Sequence, residues 1–206
     1  MKILPNIINI LSLIIFFTIL SSKVWAGLDQ NISSKSQIEN YFQDLKTIRA
    51  DFIQVSPSGN ISNGKFYLQL PGKLRIDYEK PSDLLITCKG FWIVIQNRNL
   101  KTTNNIPLRK TPFSILLENK IDFTNKELLF NLKKSSGIIS LRVQIAENHE
   151  IGELILEFSE KPLRLKKWIV KDVLGEETTV LIQNAEYNVK LPFILFFPDD
   201  FPEIND

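Results

Sequence analysis

The chain has 206 residues, 44% of them hydrophobic and 23% charged, which suits one globular domain with a substantial core. The net charge is +2, and Lys2 and Lys23 lie within the first 26 residues, which contain no acid. The rest therefore carries 23 basic and 23 acidic side chains. This neutral balance argues against nucleic acid as a main partner, because phosphate binding needs an excess of Lys and Arg.

Residues 1–26 have the pattern of a secretory signal peptide. Lys2 gives a positive start, Ile7–Leu20 is an almost unbroken apolar run, and Val24–Ala26 ends in the small residue that signal peptidase recognises. We predict cleavage after Ala26 and a single mature domain of residues 27–206. The alternative is an uncleaved membrane anchor, but the run is shorter than the ~20 apolar residues of a spanning helix.

An amphipathic helix followed by a strand is predicted at the start of the mature domain. Ser34 and Gln37 have the spacing of a capping box. Apolar residues then recur at intervals of three and four on one helical face: Ile38, Tyr41, Phe42 and Leu45. In Thr47–Val55, apolar residues including Phe52 alternate with charged ones, which predicts a strand.

The segment Asn63–Tyr78 has the clearest alternation in the chain. Its even positions are apolar or aromatic: Phe66, Leu68, Leu70, Leu74, Ile76 and Tyr78. Its odd positions are polar except for Tyr67, so each set is predicted to occupy one face of a β-structure. Pro71 and Gly72 interrupt the pattern, which indicates either a tight hairpin or two strand segments around a kink. In both cases another element must cover the apolar face.

The remaining chain predicts many strands and one short helix. Asn97–Asn105 is polar and is predicted to be a loop or a hairpin tip. Thr111 as N-cap and Pro112 as first helical residue predict a second helix with Phe113 and Leu116 on its apolar side. The predicted strands are Leu84–Cys88, Phe91–Gln96, Glu127–Lys133, Ile138–Ala146, Glu153–Phe158, Leu165–Lys171 and Thr178–Gln183, with a last apolar run at Phe193–Phe197.

These elements predict a mainly β (α+β) fold. Strands joined by short turns are antiparallel neighbours in a meander. A sheet of nine or ten strands is too wide to stay flat, so it curls or closes. A curled sheet with an apolar concave face and amphipathic helices over it would form a lined cavity for an apolar ligand.

The sequence offers little for catalysis or metal binding. His149 is the only histidine and Cys88 the only cysteine, and no G-x-S-x-G motif is present. Cys88 lies in an apolar strand, which favours a buried structural thiol, and the first residue after the predicted cleavage point is Gly27 rather than a cysteine. We therefore predict a protein that is not an enzyme, not itself a lipoprotein, and without metal or cofactor.

The mature chain resembles the LolA family of periplasmic outer-membrane lipoprotein carriers. The resemblance runs in the same order through nearly all of the mature chain. Its motifs are Phe52–Gln54, Gly64–Phe66, Leu70–Tyr78, Pro81, Lys89-Gly90, Thr111–Phe113, Trp168–Asp172, Gly175, Thr178 and Phe193–Pro198. Two positions depart from the family. Leu70 stands where a basic residue is frequent, which puts a gating role there in doubt, and Lys89 stands where Asp is more common.

The resemblance implies an unclosed β-barrel in the periplasm, with a helical lid over a hydrophobic cavity. Such proteins accept lipoproteins from an inner-membrane ATP-driven exporter, shield the acyl chains, and deliver them to an outer-membrane receptor. We expect a monomer. The residues expected to line the cavity and lid are Phe52, Phe66, Leu68, Leu70, Leu74, Ile76, Tyr78, Ile86, Tyr41, Phe42, Phe113 and Leu116.

Other functions are compatible with the same residue pattern. A lipid-binding sensor or scaffold could use this half-barrel without transferring anything, although such sensors usually carry a second domain or an anchor. A lipid hydrolase or acyltransferase would need a nucleophile and a base that the sequence does not offer. A purely structural protein is a further alternative, because every apolar alternation described above also suits an ordinary packed core.

Overall fold

The computed structural model describes residues 33–118, 120–146 and 151–201. The predicted signal peptide, its cleavage point and His149 lie outside these residues. Helix α1 covers 33–44, helix α2 covers Phe113–Leu116, and 3₁₀ turns form at Leu108–Lys110 and Phe193–Phe196. The strands are β1 Thr47–Val55, β2 Ile61–Gln69, β3 Lys73–Tyr78, β4 Leu84–Lys89, β5 Trp92–Asn97, β6 Thr102–Pro107, β7 Leu128–Ser135, β8 Ile138–Ile145, β9 Glu153–Glu160, β10 Leu163–Lys171 and β11 Glu177–Tyr187.

All eleven strands form one antiparallel sheet. The order is β6-β5-β4-β3-β2-β1-β11-β10-β9-β8-β7, so two meanders join where the first strand pairs with the last. Within the described residues the outer strands β6 and β7 do not pair with each other, and the sheet stays open. The predicted fold class, a mainly β protein with an unclosed barrel and short helices, is confirmed.

The segment with the clearest alternation forms a hairpin. Strands β2 and β3 pair from Gly64 opposite Tyr78 to Gln69 opposite Lys73. Gly72 in the turn has φ +74°, a backbone conformation that glycine adopts without steric cost. Burial alternates along β3 as its sequence predicts, with Leu74 and its same-face neighbours inside. Of the two alternatives at Pro71, the hairpin is correct.

The sheet curves so that its apolar face is concave. Phe66 lies on β2 and Trp168 lies on β10. These strands are three positions apart, so in a flat sheet their axes would be about 14 Å from each other. The two ring centroids are 5.1 Å apart. Such an approach requires the two halves of the sheet to turn toward each other, because side chains on a flat sheet project roughly in parallel.

Both helices pack on the concave face. The ring of Tyr41 on α1 meets that of Phe158 on β9 edge to face, with centroids 5.5 Å apart. On α2, Phe113 meets Trp168 in the same way at 6.4 Å. The predicted apolar faces of both helices therefore cover the sheet as a lid.

The predicted helix caps are wrong. Residue 33 is already helical, so Ser34 is a buried residue inside α1 and the capping box does not form. At α2 the N-cap position is occupied by Pro112, one residue later than predicted. The Thr111 hydroxyl instead donates backwards to the Leu108 carbonyl at 2.9 Å.

Two further predictions need correction. The polar segment Asn97–Asn105 contains the start of strand β6, which pairs along β5 at the edge of the sheet. Its first four residues are exposed, so burial imposes no apolar alternation on them. The final apolar run forms the 3₁₀ turn Phe193–Phe196 and not a strand.

The segment 192–199 crosses the outer, convex face of β3 and β4, and we call it the C-terminal strap. Arg75 donates to the carbonyls of Leu195 and Phe197, at 3.2 and 3.4 Å. Leu85 on β4 and Phe196 on the strap are fully buried, although neither belongs to the concave cluster. The strap therefore closes a second, smaller core on the convex side.

Candidate functional site: the concave face and its lid

The twelve residues predicted to line the cavity lie together in one cluster on the concave side. Ten of them are buried, and Ile86 and Phe113 are partly buried against the others. The odd-numbered residues of β3, among them Arg75 and Asp77, lie on the opposite face, so the predicted strand register is the observed one. A ligand-binding role for the cluster remains a prediction.

Sequence reasoning missed the other half of this surface. Strands β8 to β11 contribute ten buried apolar side chains to the cluster, and β1 to β4 contribute nine. The ten are Ile139, Leu141, Val143, Leu154, Leu156, Phe158, Leu165, Trp168, Val180 and Ile182. The alternation in β8 carried the same period-two signal as the β2–β3 hairpin and could have identified its inward face.

The lid fills the concavity with its own side chains. Phe42 and Leu116 are completely buried between helix and sheet. Two clefts lie beside the lid, one of about 330 Å³ along α1 and one of about 440 Å³ along α2. A long apolar ligand could therefore reach the concave face only where lid side chains withdraw from it.

The few polar groups on this surface are neutral at physiological pH. Tyr78 donates to Gln54 Oε1 at 2.7 Å, and burial raises its pKa to about 12 despite that hydrogen bond. Burial also raises the pKa of Tyr41, whose hydroxyl accepts from the Leu165 amide at 3.3 Å. Both phenols stay protonated, so neither places a charge on the concave face.

The indole N–H of Trp168 has no acceptor among the described residues, although the side chain is only 1% exposed. A buried unpaired donor costs about 1–3 kcal/mol. The indole ring contacts Phe66 on β2 and Phe113 on α2, so this unpaired donor belongs to a side chain at which sheet and lid meet.

The thiol of Cys88 is not placed for nucleophilic chemistry. It is fully buried at the end of β4, and burial raises its pKa to about 11. It remains a thiol at neutral pH, whereas a catalytic cysteine needs a lowered pKa. In the described part of the chain, no three His, Cys, Asp or Glu side chains are grouped as metal ligands.

Leu70 stands where the family often has a basic residue, and it is buried in the concave cluster. Its amide donates to the carbonyl of Lys46, in the linker between α1 and β1. The position therefore holds that linker against the end of β2 by a backbone hydrogen bond.

Among the described helices, none is long and apolar enough to cross a membrane.

The model of the outer membrane lipoprotein carrier protein LolA family matches residues 43–199. The chain belongs to the LolA family. The match extends from the end of α1 through all eleven strands to the C-terminal strap. Carriers of this family are periplasmic and are not enzymes.

Relatives in three bacteria are similar in sequence to this LolA family member. An outer-membrane lipoprotein carrier protein of Leptothrix cholodnii is 27% identical over 84% of each chain. One of Methylococcus capsulatus is 35% identical over 36% of this chain and 39% of its own length. An uncharacterised protein of Rickettsia prowazekii is 27% identical over 61% of this chain, which spans only 57% of that relative.

Two solved structures align with most of this chain at low sequence identity. A conserved protein of Thermus thermophilus aligns with 83% of this chain and 96% of its own, at a TM-score of 0.49 and 9% identity. A LolA superfamily protein of Nitrosomonas europaea aligns with 82% of this chain and 97% of its own, at a TM-score of 0.43 and 11% identity.

Proposed function

We propose that this protein is a periplasmic carrier that encloses the acyl chains of lipoproteins between its concave face and its lid. It is exported by residues 1–26, cleaved after Ala26, and acts as a monomer without catalysis. It receives lipoproteins from an ATP-driven exporter in the inner membrane and delivers them to a receptor on the outer membrane. The observation that carries this proposal is an apolar concave face in a LolA family sheet, covered by two short helices.

The closed lid explains how such a carrier could release its cargo. Burying acyl chains contributes ~0.8 kcal/mol per CH₂, so several chains in an open, preformed cavity would bind almost irreversibly. In this structure, lid residues such as Phe42 and Leu116 already bury that surface. Cargo must displace these contacts, which offsets part of the gain and leaves an affinity compatible with transfer.

The experiment compares Leu74→Glu with Leu85→Glu. Both leucines are completely buried, and they lie on neighbouring strands. Leu74 faces the concave cluster, whereas Leu85 lies on the convex side under the strap. In a carrier, lifting the lid gives a carboxylate at position 74 access to water. We therefore expect Leu74→Glu to remain folded and lose acyl-chain binding, and Leu85→Glu to cost several kcal/mol of stability.

The measurements are thermal unfolding, release of a radiolabelled lipoprotein from inner-membrane vesicles, and its transfer to outer membranes. Normal release and transfer by a folded Leu74→Glu protein would contradict the cavity assignment. Equal destabilisation of both variants would favour an ordinary packed core. Binding without transfer by the wild-type protein would favour the alternative, a lipid-binding sensor or scaffold.

A further inference from the structure

One end of the sheet carries exposed aromatic and basic side chains that the carrier function leaves unused. This end contains the β2–β3 and β4–β5 turns, which are joined by a hydrogen bond from the Gly90 amide to the Gly72 carbonyl at 3.2 Å. Phe91 and Trp92 follow directly and are 86% and 52% exposed. We call this end the aromatic tip; its members are Lys73, Lys89, Phe91, Trp92, Arg109, Lys110, Phe193 and Ile194.

The backbone brings further cations to the same place. The Leu108 amide donates to the Phe91 carbonyl at 2.8 Å, so the exposed residues Arg109 and Lys110 follow immediately beside Phe91. The strap adds Phe193, whose ring lies 4.4 Å from the ammonium of Lys89 and 5.1 Å from that of Lys73.

An apolar cleft opens at the aromatic tip beside α2. It has a volume of about 440 Å³ and is lined by Phe91, Trp92, Pro107, Leu108, Arg109, Ser114, Leu117 and Glu118. Burial raises the pKa of Glu118, the carboxylate in this lining. The tip thus combines four exposed apolar side chains with four basic ones, and one acid, Glu118, lies in the cleft lining.

We propose that the aromatic tip docks on the surface of a bilayer that contains anionic phospholipid. Tryptophan inserts at the level of the headgroups, where its amphipathic ring has both apolar and polar surroundings, and an adjacent phenylalanine buries its ring at the acyl boundary. Lysine and arginine beside them attract anionic headgroups, and each strengthens the binding several-fold. Docking would hold the end of the lid that carries α2 against the membrane. This contact with lipid is additional to the proposed carriage of lipoproteins.

Trp92 provides a direct reporter for the test. Trp168 is buried, and a protein cleaved after Ala26 has no third tryptophan. We would use secreted protein of confirmed intact mass and vesicles of phosphatidylcholine alone or mixed equally with phosphatidylglycerol. We expect a blue shift of Trp92 emission and co-sedimentation with the mixed vesicles only, both weakening as salt is added.

Two double variants test the two components of the tip. Phe91→Ser with Trp92→Ser removes the rings, and Arg109→Glu with Lys110→Glu reverses two exposed charges. Each should reduce co-sedimentation by about tenfold or more. The matched control is Val173→Ser with Leu174→Ser, in the β10–β11 turn, where both side chains are also exposed. This control should bind as the wild type does.

Three results would overturn the proposal: no association of the wild type with mixed vesicles, equal binding to both vesicle types, or normal binding by both tip variants. Circular dichroism verifies that each variant is folded. If the aromatic variant does not fold, vesicle binding by the charge variant tests the proposal by itself. That variant should fold, because Arg109 and Lys110 are exposed and make no ion pair among the described residues.

Discussion

Gly64 shows how a single residue fixes the packing of the central hairpin. It lies on β2 opposite Tyr78, and it is buried without a positive φ. A Cβ at this position would collide with the backbone carbonyl of Asp77 and would lie 2.9 Å from the ring of Phe52. Glycine is therefore required here by close backbone approach and not by a turn.

We expect Gly64→Ala to lower the free energy of unfolding by about 3 kcal/mol or more, because the backbone of β3 must shift to admit the methyl group. Gly137→Ala is the control. Gly137 has φ +76° and open space around it, so alanine there should cost only about 1–2 kcal/mol of backbone strain. Chemical denaturation measures both, and equal losses would show that β3 can move freely.

At the scale of elements, the C-terminal strap is attached by a charged network. Asp77 on β3 lies between the guanidinium groups of Arg75 and Arg98, at 2.7 and 2.5 Å. Arg98 also binds Asp199 on the strap at 2.7 Å. Burial raises the pKa of Asp77, but the hydrogen bonds from Arg98 and Arg75 outweigh it and hold that pKa below its usual range.

A lowered pKa in the folded state fixes the sign of the pH dependence. Asp77 stabilises the fold at every pH above its unfolded pKa of about 3.9, and this contribution is lost as the pH falls through the lower folded value. We expect Asp77→Asn to cost about 1–2 kcal/mol at pH 7 and to flatten the loss of stability below about pH 4.

The matched control for Asp77→Asn is Glu186→Gln, which breaks the exposed pair between Arg49 and Glu186. Because the side chains of Arg49 and Glu186 are both about half exposed, we expect Glu186→Gln to leave the free energy of unfolding unchanged. Urea unfolding at a series of pH values tests both variants. An unchanged pH profile in Asp77→Asn would contradict the assignment of the network.

The elements differ in how far the sequence determined them. The β2–β3 hairpin was predictable because Leu74 and Ile76 are buried on one face, while Arg75 faces the other. Strand β6 was not, because its first four residues are exposed and carry no apolar pattern. The apolar run Phe193–Phe197 within the strap does not form the predicted strand. Only Phe196 of this run is buried, in a second core beneath Arg75 that alternation on β3 does not reveal.

At the scale of the whole molecule, the strand patterns predicted which residues face inward but not which residues they contact. Phe66 and Trp168 are 102 residues apart in the sequence, and their contact depends on the pairing of β1 with β11. Neither strand encodes that pairing by itself. The first half of the concave cluster was therefore predictable from parity, whereas the second half and the curvature that joins them required the complete sheet.

We expect the lid to move away from the concave face when cargo binds. The described part of α1 has twelve residues and α2 has a single turn, lengths at which isolated helices are marginal in water. Both depend on packing against the concave face, through contacts such as Tyr41 with Phe158. If acyl chains displace this packing, the lid amides lose protection while the sheet centre around β1 and β11 retains it.

Hydrogen exchange with mass detection measures this directly. With a lipoprotein bound, amides in 33–44 and Phe113–Leu116 should exchange at least about tenfold faster, equivalent to about 1.4 kcal/mol of local stability, and β1 should not change. The control is the same cargo without its acyl chains, which should leave all rates unaltered. Slower exchange in the lid on loading would show that cargo tightens α1 and α2 onto the sheet, and the acyl chains would then bind somewhere other than beneath them.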